Sequence, residues 1–577
     1  MFEEIIIEIL ERETKLHRDQ IKKLIEIPPK LELGDFSFPC FSFANIKTDD
    51  EMWANVEKDF FIKKNPADIS RHFADKINNK KLPKEIEKVI AFGPYLNFFL
   101  NKKILASKII KINSNFGKEK NRKKILMEYA SPNSNKPLHL GHLRNIALGE
   151  SMARVFEYAG NKVIRVNLNN DKGMPICKTM LAYQKFAKNK TPESDHKKSD
   201  HFVGDLYVLY NEKLKQDSSL EDQARELLKL QEQGDKKTLE LWNKIINWVL
   251  SGYNETYNIF GAKFNKEYYE SKIYQSGKEI VIKGLENGIF EKRRDGAIVV
   301  NLGIVDNENL GEKVLLREDG TSVYITQDLE LARIKNKDFH SDIFINVVGN
   351  EHDYHFKVLY EILKRLGNKE KHYHLSYGLI SLPEGRMKSR EGNVVDADDI
   401  INNVKELAKK GLESRKKLSK KELEKKSLII TLASIKYALL KIEAGKNFMF
   451  DPKESINFEG NTGPYLQYSY ARASSIIKKS KSKKSLVIPD NFTKEELHLI
   501  SQISKFPQTL ENTTKKMNPA IIANYAHELA QYFNEFYHAN QVIGTKEESF
   551  RLKLIEAFRI VLKNSLYLLG IEVMEEM

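Results

Sequence analysis

The run KILMEY, ending at Glu128 and Tyr129, leads into the loop ASPNSNKP and then into a 3.6-residue apolar period from Leu138 to Ala159 that Gly160 closes. KVIRVNL follows as a second strand, and a strand, helix and strand of this length predict a βαβ unit, hence a parallel sheet. The same alternation returns at DIFINVV, at the helical series Phe356, Leu359, Ile362, Leu363 and Leu366 stopped by Gly367, and at YHLSYGLISL. Two such halves predict an α/β, doubly wound parallel, Rossmann-like domain.

Between about Pro175 and Ile280 the pattern is helical and carries Trp242 and Trp248, as an insertion would. Upstream, Ile5, Leu10, His17, Ile21 and Leu24 keep helical spacing beside short extended runs such as AFGPYLNFFL, up to the polar stretch NFGKEKNRKK. Beyond about residue 400 almost every segment is helical, for example Ile522, Tyr525, Leu529, Phe533 and Phe536, then Phe550, Leu554, Phe558 and Val561. The expected plan is an N-terminal α/β domain over 1–118, the split sheet domain over 119–400 with its insertion at about 175–280, and an all-α helical bundle over 401–577.

Composition narrows the partners. Against 80 Asp and Glu stand 94 Lys and Arg, a net charge of +14 that favours a polyanion, nucleic acid or nucleotide. With only Cys40 and Cys177, neither a disulfide framework nor a thiolate zinc site is available, and a reducing cytoplasm fits. The start MFEEIIIEILERE sets acids among its apolar residues, unlike a secretory signal, and the most apolar stretch, SLIITLASIKYALLKI, is broken by Lys436 and falls short of the ~20 residues a membrane helix needs. A soluble, cytoplasmic protein without a membrane partner is the expectation.

At the start of the first sheet helix, His139 and His142, three residues apart, share one face where unpaired N–H groups and the helix dipole attract phosphate, and Gly141 lets a flat base approach the backbone. Taken alone, H-x-x-H reads equally as a pair of capping histidines or half a metal site. After the last sheet strand, GRMKSREGNVV carries Arg386, Lys388 and Arg390, which alone would be a basic surface loop. In this order and on these elements, the two segments resemble the HIGH and KMSKS signatures of the class I aminoacyl-tRNA synthetases. MEYASPNSNKPLHLGHLRN looks like the arginyl-tRNA synthetase form of the first, and the resemblance extends to SVYITQDL, VVGNEHDYHF, GNTGPYLQYSYAR and the terminal LGIEV…M. GPYLNFFL, with Asn97, is similar to the segment by which that family's N-terminal domain reads the tRNA elbow.

The resemblance implies activation of arginine by ATP to arginyl-adenylate and its transfer to the 3′ end of tRNA(Arg). ATP arrives with Mg2+ as substrate, and no tightly bound cofactor, no metal site and a monomer are expected. The positions matching Glu128 and Asn133 hold the amino-acid end, and those matching Tyr324 and Asp328 hold the guanidinium, which offers only donors and needs planar acceptors. His352 stands where the family usually has glutamine. His139, His142, Lys388 and Arg390 would act at the triphosphate, with Gly141, Met387 and Ser389 beside the nucleotide. Ser389 occupies the place of the second, catalytic lysine of KMSKS, so Lys136 is expected to supply that charge. Tyr465 and Gln467 in GPYLQYS and the terminal Met577 match segments near the anticodon arm. The lysine runs at 415–426 and 478–484 read as solvated surface. A metal reading of EHDYH, with His352 and His355, lacks a spaced third ligand. The alternatives are another class I synthetase, a small-metabolite nucleotidyltransferase, which the long helical tail disfavours, and a non-catalytic tRNA-binding paralogue, which has no need of both phosphate loops.

Overall fold

The computed structural model describes residues 2–28, 30–44, 65–273, 277–383, 395–414, 417–480 and 485–577, and in it the strand–helix alternation builds one five-stranded parallel sheet. Strands β1 (Lys124–Glu128), β2 (Lys162–Asn169), β3 (Lys266–Tyr269), β4 (Ile343–Gly349) and β5 (Lys371–Tyr377) lie in the order β5-β4-β1-β2-β3. The chain steps outward from β1 through β2 to β3, then restarts beside β1 on its other side. This reversal opens a crevice outside the carboxyl ends of β1 and β4, where doubly wound sheets hold their ligands. Glu128, the last residue of β1, pairs in register with Asn346 at its floor.

Helix α1 (Leu140–Tyr158) follows β1 and packs closely on it. It starts two residues later than the periodicity predicts, because His139 is the extended N-cap, and Gly160 ends it at φ 86°. Gly149 faces the ring of Tyr129, and any Cβ there would collide with it, so this position needs glycine. The insertion is four helices, α2 (Met174–Phe186), α3 (Ser199–Leu214), α4 (Ser219–Gln233) and α5 (Lys236–Phe260), held by Trp248 edge-on to Tyr183 and Phe202 and by the Trp242 indole N–H donating to the Asp171 carbonyl at 2.8 Å.

After β3 comes a region the sequence reading does not anticipate. A helix, Lys278–Glu286, and an antiparallel sheet of Glu291–Lys292, Ile298–Asn301 and Glu312–Leu316 build a second core with Val281, Phe290, Val300 and Leu315. Its strands are only 2, 4 and 5 residues long, too short to display an alternating pattern. Helices α6 (Tyr324–Phe339) and α7 (Asp353–Arg365) flank β4.

Helices α8 (Ala397–Glu413), α9 (Lys420–Leu440), α10 (Gly463–Lys479), α11 (Ala520–Ala539) and α12 (Glu548–Leu568) make up most of the C-terminal bundle. Tyr525, Phe533 and Phe536 are buried in it, and Phe533 stacks on Phe558 at 4.0 Å, so the aromatic series is core, as its period implies. The bundle is tied to α1, since Ser151 donates to the Leu568 carbonyl at 2.9 Å and Asn564 to the Tyr158 hydroxyl at 2.8 Å. In the N-terminal region, helices Phe2–Thr14, Arg18–Leu24 and Pro66–Asn78 accompany an antiparallel sheet whose central strand is Tyr95–Leu100, between Phe36–Pro39 and Ile86–Phe92. Among the described residues no helix is long and apolar enough to cross a membrane.

Candidate active site

Two adjoining cavities fill the crevice. The first, of ≈ 650 Å³, is lined among others by Lys136, His139, Gly141, His142 and Tyr377, and the second, of ≈ 770 Å³, by Glu128, Asn133, Glu270, Tyr324, Asp328 and His355. Ser131, Val348 and His352 line both, so they form the wall between them.

The turn that leaves β1 is strained. Ala130 and Ser131, neither of them glycine, take φ 74° and 44°, a conformation costing roughly 1–3 kcal/mol per residue unless the surroundings hold it. Asn145 of α1 accepts from the Ala130 amide at 2.6 Å, and Asn167 of β2 accepts from the Ser131 amide at 3.0 Å. Asn145 also donates to the Val347 carbonyl at 2.7 Å, so one side chain spans α1, the turn and β4.

Both histidines of the first signature cap α1, and the capping fixes their chemistry. The Gly141 amide donates to His139 Nδ1 at 3.1 Å, and the His139 amide donates to His142 Nδ1 at 3.1 Å. A backbone amide only donates, so Nδ1 of each ring is unprotonated and each neutral imidazole keeps its proton on Nε2 as a donor. Burial, reinforced by Lys136, lowers His139 to about 4, and burial with both His139 and Lys136 as neighbours pushes His142 well below its ordinary value. The rings lie 3.9 Å apart. Lys136 is itself lowered by burial, partly opposed by the carboxylate of Asp396.

Arg144, wholly buried one turn further along α1, donates to the carbonyls of Gly378 (2.6 Å), Ala444 (2.8 Å), Lys446 (2.9 Å) and Glu443 (3.3 Å). It pins two loops that wall the first cavity. Sequence reading passed over Asn145 and Arg144, because an Asn and an Arg inside a helical period look like solvated positions until the fold shows which face they occupy.

In the second cavity Glu128 is buried, forms an ion pair with Lys335 and accepts from Asn346 at 2.8 Å. Tyr324, at the first turn of α6, is 81% exposed and stands at the rim. Four residues on, Asp328 Oδ2 meets His355 Nε2 at 2.6 Å, and that hydrogen bond raises the imidazole above its ordinary value against the effect of burial. Glu270, which the sequence reading missed, faces the same space, and burial, with Asp171 as a neighbouring acid, lifts it to about 7. It follows the four-residue strand KEYY, and no pattern there marks an acid as functional.

Two of the expected tRNA contacts fall on buried side chains. Asn97 is 3% exposed, between Leu96 and Phe98 on the central strand of its sheet, and accepts from Ser37 at 2.5 Å. Gln467 is fully buried on α10, where it donates to the Glu572 carbonyl at 2.7 Å. Both side chains make these hydrogen bonds inside the fold. Tyr465 is half-buried and accepts from Asn534 at 2.8 Å. Met577 borders a cavity of ≈ 890 Å³ in which Arg472 lies over the rings of Tyr468 (4.8 Å) and Tyr537 (5.4 Å). Arg386, Met387, Lys388, Ser389 and Arg390 lie outside the described residues, as do Arg415, Lys416 and residues 481–484 of the lysine runs. Among the described residues one group, Asp200, His201 and Asp398, has metal-ligand spacing, but the Lys198 ammonium, 2.7 Å from Asp398 and 3.3 Å from Asp200, already supplies a cation there.

Comparison with known proteins agrees along the whole chain. Residues 1–100 match the arginyl tRNA synthetase N terminal domain, 104–452 the catalytic domain of the class I tRNA synthetases (R), and 466–577 the DALR anticodon binding domain. The chain is 42% identical to an arginine–tRNA ligase of Treponema denticola, covering 96% of this chain and 94% of that one, and 38% identical to one of Borreliella burgdorferi, covering 99% and 98%. In structure it is similar to the arginyl-tRNA synthetase of Thermus thermophilus, with a TM-score of 0.84 at 25% identity over 100% of this chain and 99% of that one.

Proposed function

The chain belongs to the arginine-specific class I aminoacyl-tRNA synthetases, enzymes that charge tRNA with arginine using ATP, and from that premise we propose how its residues divide the work. ATP lies in the first cavity with its phosphates at the start of α1. The Nε2–H groups of His139 and His142 donate to phosphate oxygens, Gly141 leaves room for the adenine ring, and Lys136 supplies the fixed charge that Ser389 does not. Lys388 and Arg390, with Met387 and Ser389 beside the nucleotide, complete the phosphate site.

Arginine lies in the second cavity. Its carboxylate reaches the shared wall at Ser131 and His352, its amino end meets Glu128 and Asn133, and its guanidinium meets Tyr324, Asp328 and Glu270. The carboxylate is already ionised, so it attacks the α-phosphorus without a general base, and pyrophosphate leaves with the charge spread over the imidazole donors and Lys136. The 2′-hydroxyl of the terminal adenosine then displaces AMP from the adenylate. Mg2+ enters with ATP and keeps its waters, needing no protein cage.

The observation that carries this reading is the common wall. It puts a cavity of neutral N–H donors, suited to a phosphate anion, next to a cavity of acids, suited to a cation. The N-terminal domain (1–118) binds the tRNA elbow, residues 119–400 carry the chemistry, and the bundle (401–577) meets the anticodon arm through Tyr465 and Met577. We expect a cytoplasmic monomer, a setting that suits the two buried free thiols Cys40 and Cys177. Exchange of label between pyrophosphate and ATP, run with each amino acid and with and without tRNA, tests the reading. It should require arginine and cognate tRNA, and exchange with lysine, glutamate or glutamine in place of arginine overturns the assignment of the second cavity.

A further inference from the structure

Asp328 does not wait empty for a guanidinium, because His355 Nε2 already sits 2.6 Å from its Oδ2. The two residues come from different helices, α6 and α7, and both line the cavity assigned to the arginine side chain. Building on that assignment, we propose that His355 is a positioning residue for arginine: as a neutral donor it orients the Asp328 carboxylate toward the guanidinium, and as a cation it competes with the substrate for the same charge. Capture of arginine is then coupled to loss of the proton from His355.

The surroundings favour this coupling. From α6, His355 faces Asp328, with Tyr324 lining the same cavity, while Lys335 on the same helix is neutralised by Glu128 of β1. On the turn before α7, Glu351 and His352 lie 3.9 Å apart, and across from α7 His374 of β5 is held between the Val348 carbonyl and Asp353. On the far wall, Lys172 pairs with Glu232 at 3.3 Å, and Glu270 is the other acid in the cavity whose charge changes near neutrality. The ring of His355 lies edge-on to Phe356 at 5.7 Å, which limits its freedom to swing away from Asp328. Among the described residues the imidazole thus has one carboxylate partner, the carboxylate whose charge the substrate needs. A protonated His355 cancels that charge and sets a second cation beside the guanidinium, which stays charged throughout.

The sign follows directly. Protonation of His355 weakens arginine binding, so KM for arginine falls as pH rises through the imidazole titration and levels off above it. One displaced proton contributes a limiting slope of about −1 in log KM against pH, and Glu270, protonated on the same side, contributes up to about one more. The test is aminoacylation by the full-length enzyme with saturating ATP and tRNA, measured as initial rates from pH 5.5 to 8.5. Three variants are compared with the wild type: His355→Gln, which still donates a hydrogen bond but carries no charge, His355→Ala, and Asp328→Asn.

His355→Gln should keep kcat and KM for ATP near wild type, keep KM for arginine within about threefold at pH 8, and lose about one unit of acid-side slope. Above the imidazole titration, where the wild-type ring is a neutral donor, His355→Ala should raise KM for arginine, and the Gln variant should rescue that loss. An acid-side slope in His355→Gln equal to that of the wild type overturns the proposal, even if the Ala variant fails to fold. The underlying assignment fails in a different way: an Asp328→Asn enzyme with wild-type KM for arginine removes Asp328 from the site, whereas a raised KM there with an unchanged slope in His355→Gln sinks only the role of His355.

Discussion

The two cavities share Ser131, Val348 and His352 yet handle charge by opposite means. In the first, burial works against the cationic form of His139 and His142, and backbone amides fix which nitrogen keeps the proton, so an anion meets oriented neutral donors, with Lys136 the one lysine among the described lining residues. In the second, burial raises Glu270 to about 7 while a hydrogen bond to Asp328 raises His355 above its ordinary value, so a cation meets groups that can exchange protons. Hydrogen bonding to a preorganised dipole costs little reorganisation when the reacting charge moves, which suits the end where bonds break. Titrating acids discriminate charge instead, which suits the end where the substrate is chosen. One fold supplies both because α1 delivers its N-terminus to the first cavity while α6 and α7 bring side chains to the second.

The sharpest way to break the contrast is to remove one oriented donor. His142→Ala should lower adenylate formation by ~10²–10³-fold, the ~2.7–4 kcal/mol lost with one such donor, while tRNA affinity and KM for arginine stay near wild type. Rapid-quench adenylate formation measures it, and a wild-type rate leaves the histidine as a helix cap alone. Next in size is Lys136→Ala, expected to slow adenylate formation by at least ~10²-fold, about 2.7 kcal/mol, with arginine binding nearly unchanged. The double variant Lys136→Ala with Ser389→Lys should recover part of the rate, and a fast single variant ends the idea that Lys136 replaces the lysine missing at 389. On the other side of the wall, Asp328→Asn removes a charged acceptor, a loss of ~1.5–3 kcal/mol that should appear as a ~10- to 10²-fold rise in KM for arginine with the chemical step preserved. If instead kcat falls and KM holds, the two cavities do not divide the labour as drawn.

These contrasts were only partly legible in the sequence. Strands β1, β2, β4 and β5 announce themselves through apolar runs bounded by glycines and polar turns, and α1 through its period and Gly160, so the sheet and its two halves follow from pattern. The strand β3 and the small antiparallel sheet do not, since strands of two to five residues carry too little pattern. Residue letters matched to a family point to a segment but not to the face a side chain occupies. GPYLNFFL points to Asn97 and GPYLQYS to Gln467, and pattern alone does not show that both are buried, the first on the central strand of its sheet and the second on the core side of α10. Conversely, Glu270 and His355 reach the second cavity from residues separated from Asp328 by 58 and 27 positions in the chain, a proximity that only the crossing of β3, α6 and α7 creates. His355 was legible only as half of an unconvincing metal motif. Asp328 is what gives it a role.

The smallest expected effect is also the finest probe of the contrast, namely the pH dependence of the chemical step at saturating arginine and ATP. His139 lies at about 4 and His142 well below its ordinary value, both because of burial, so neither changes charge between pH 6 and 8 and the oriented donors stay intact. Among the described groups next to the first cavity, Asp396 does titrate in that range. Burial raises it to about 6, it bridges backbone to backbone with His139, and its charge bears on Lys136. When Asp396 is ionised it competes with phosphate for Lys136, and when protonated it leaves that ammonium to the nucleotide, so the chemical step should rise slightly as pH falls toward 6. No ion pair within 4.0 Å joins the two described side chains, so the change should stay below ~3-fold, less than ~0.7 kcal/mol, and Asp396→Asn should abolish it. KM for arginine over the same interval should change more steeply and in the opposite sense to affinity gained at the nucleotide, worsening as pH falls. Single-turnover rates at saturating substrates, set beside KM for arginine across the same buffers, decide the matter: a chemical step that follows pH as steeply as KM does would mean that the imidazoles of the first cavity titrate after all, and the contrast between fixed donors and exchanging acids would be lost.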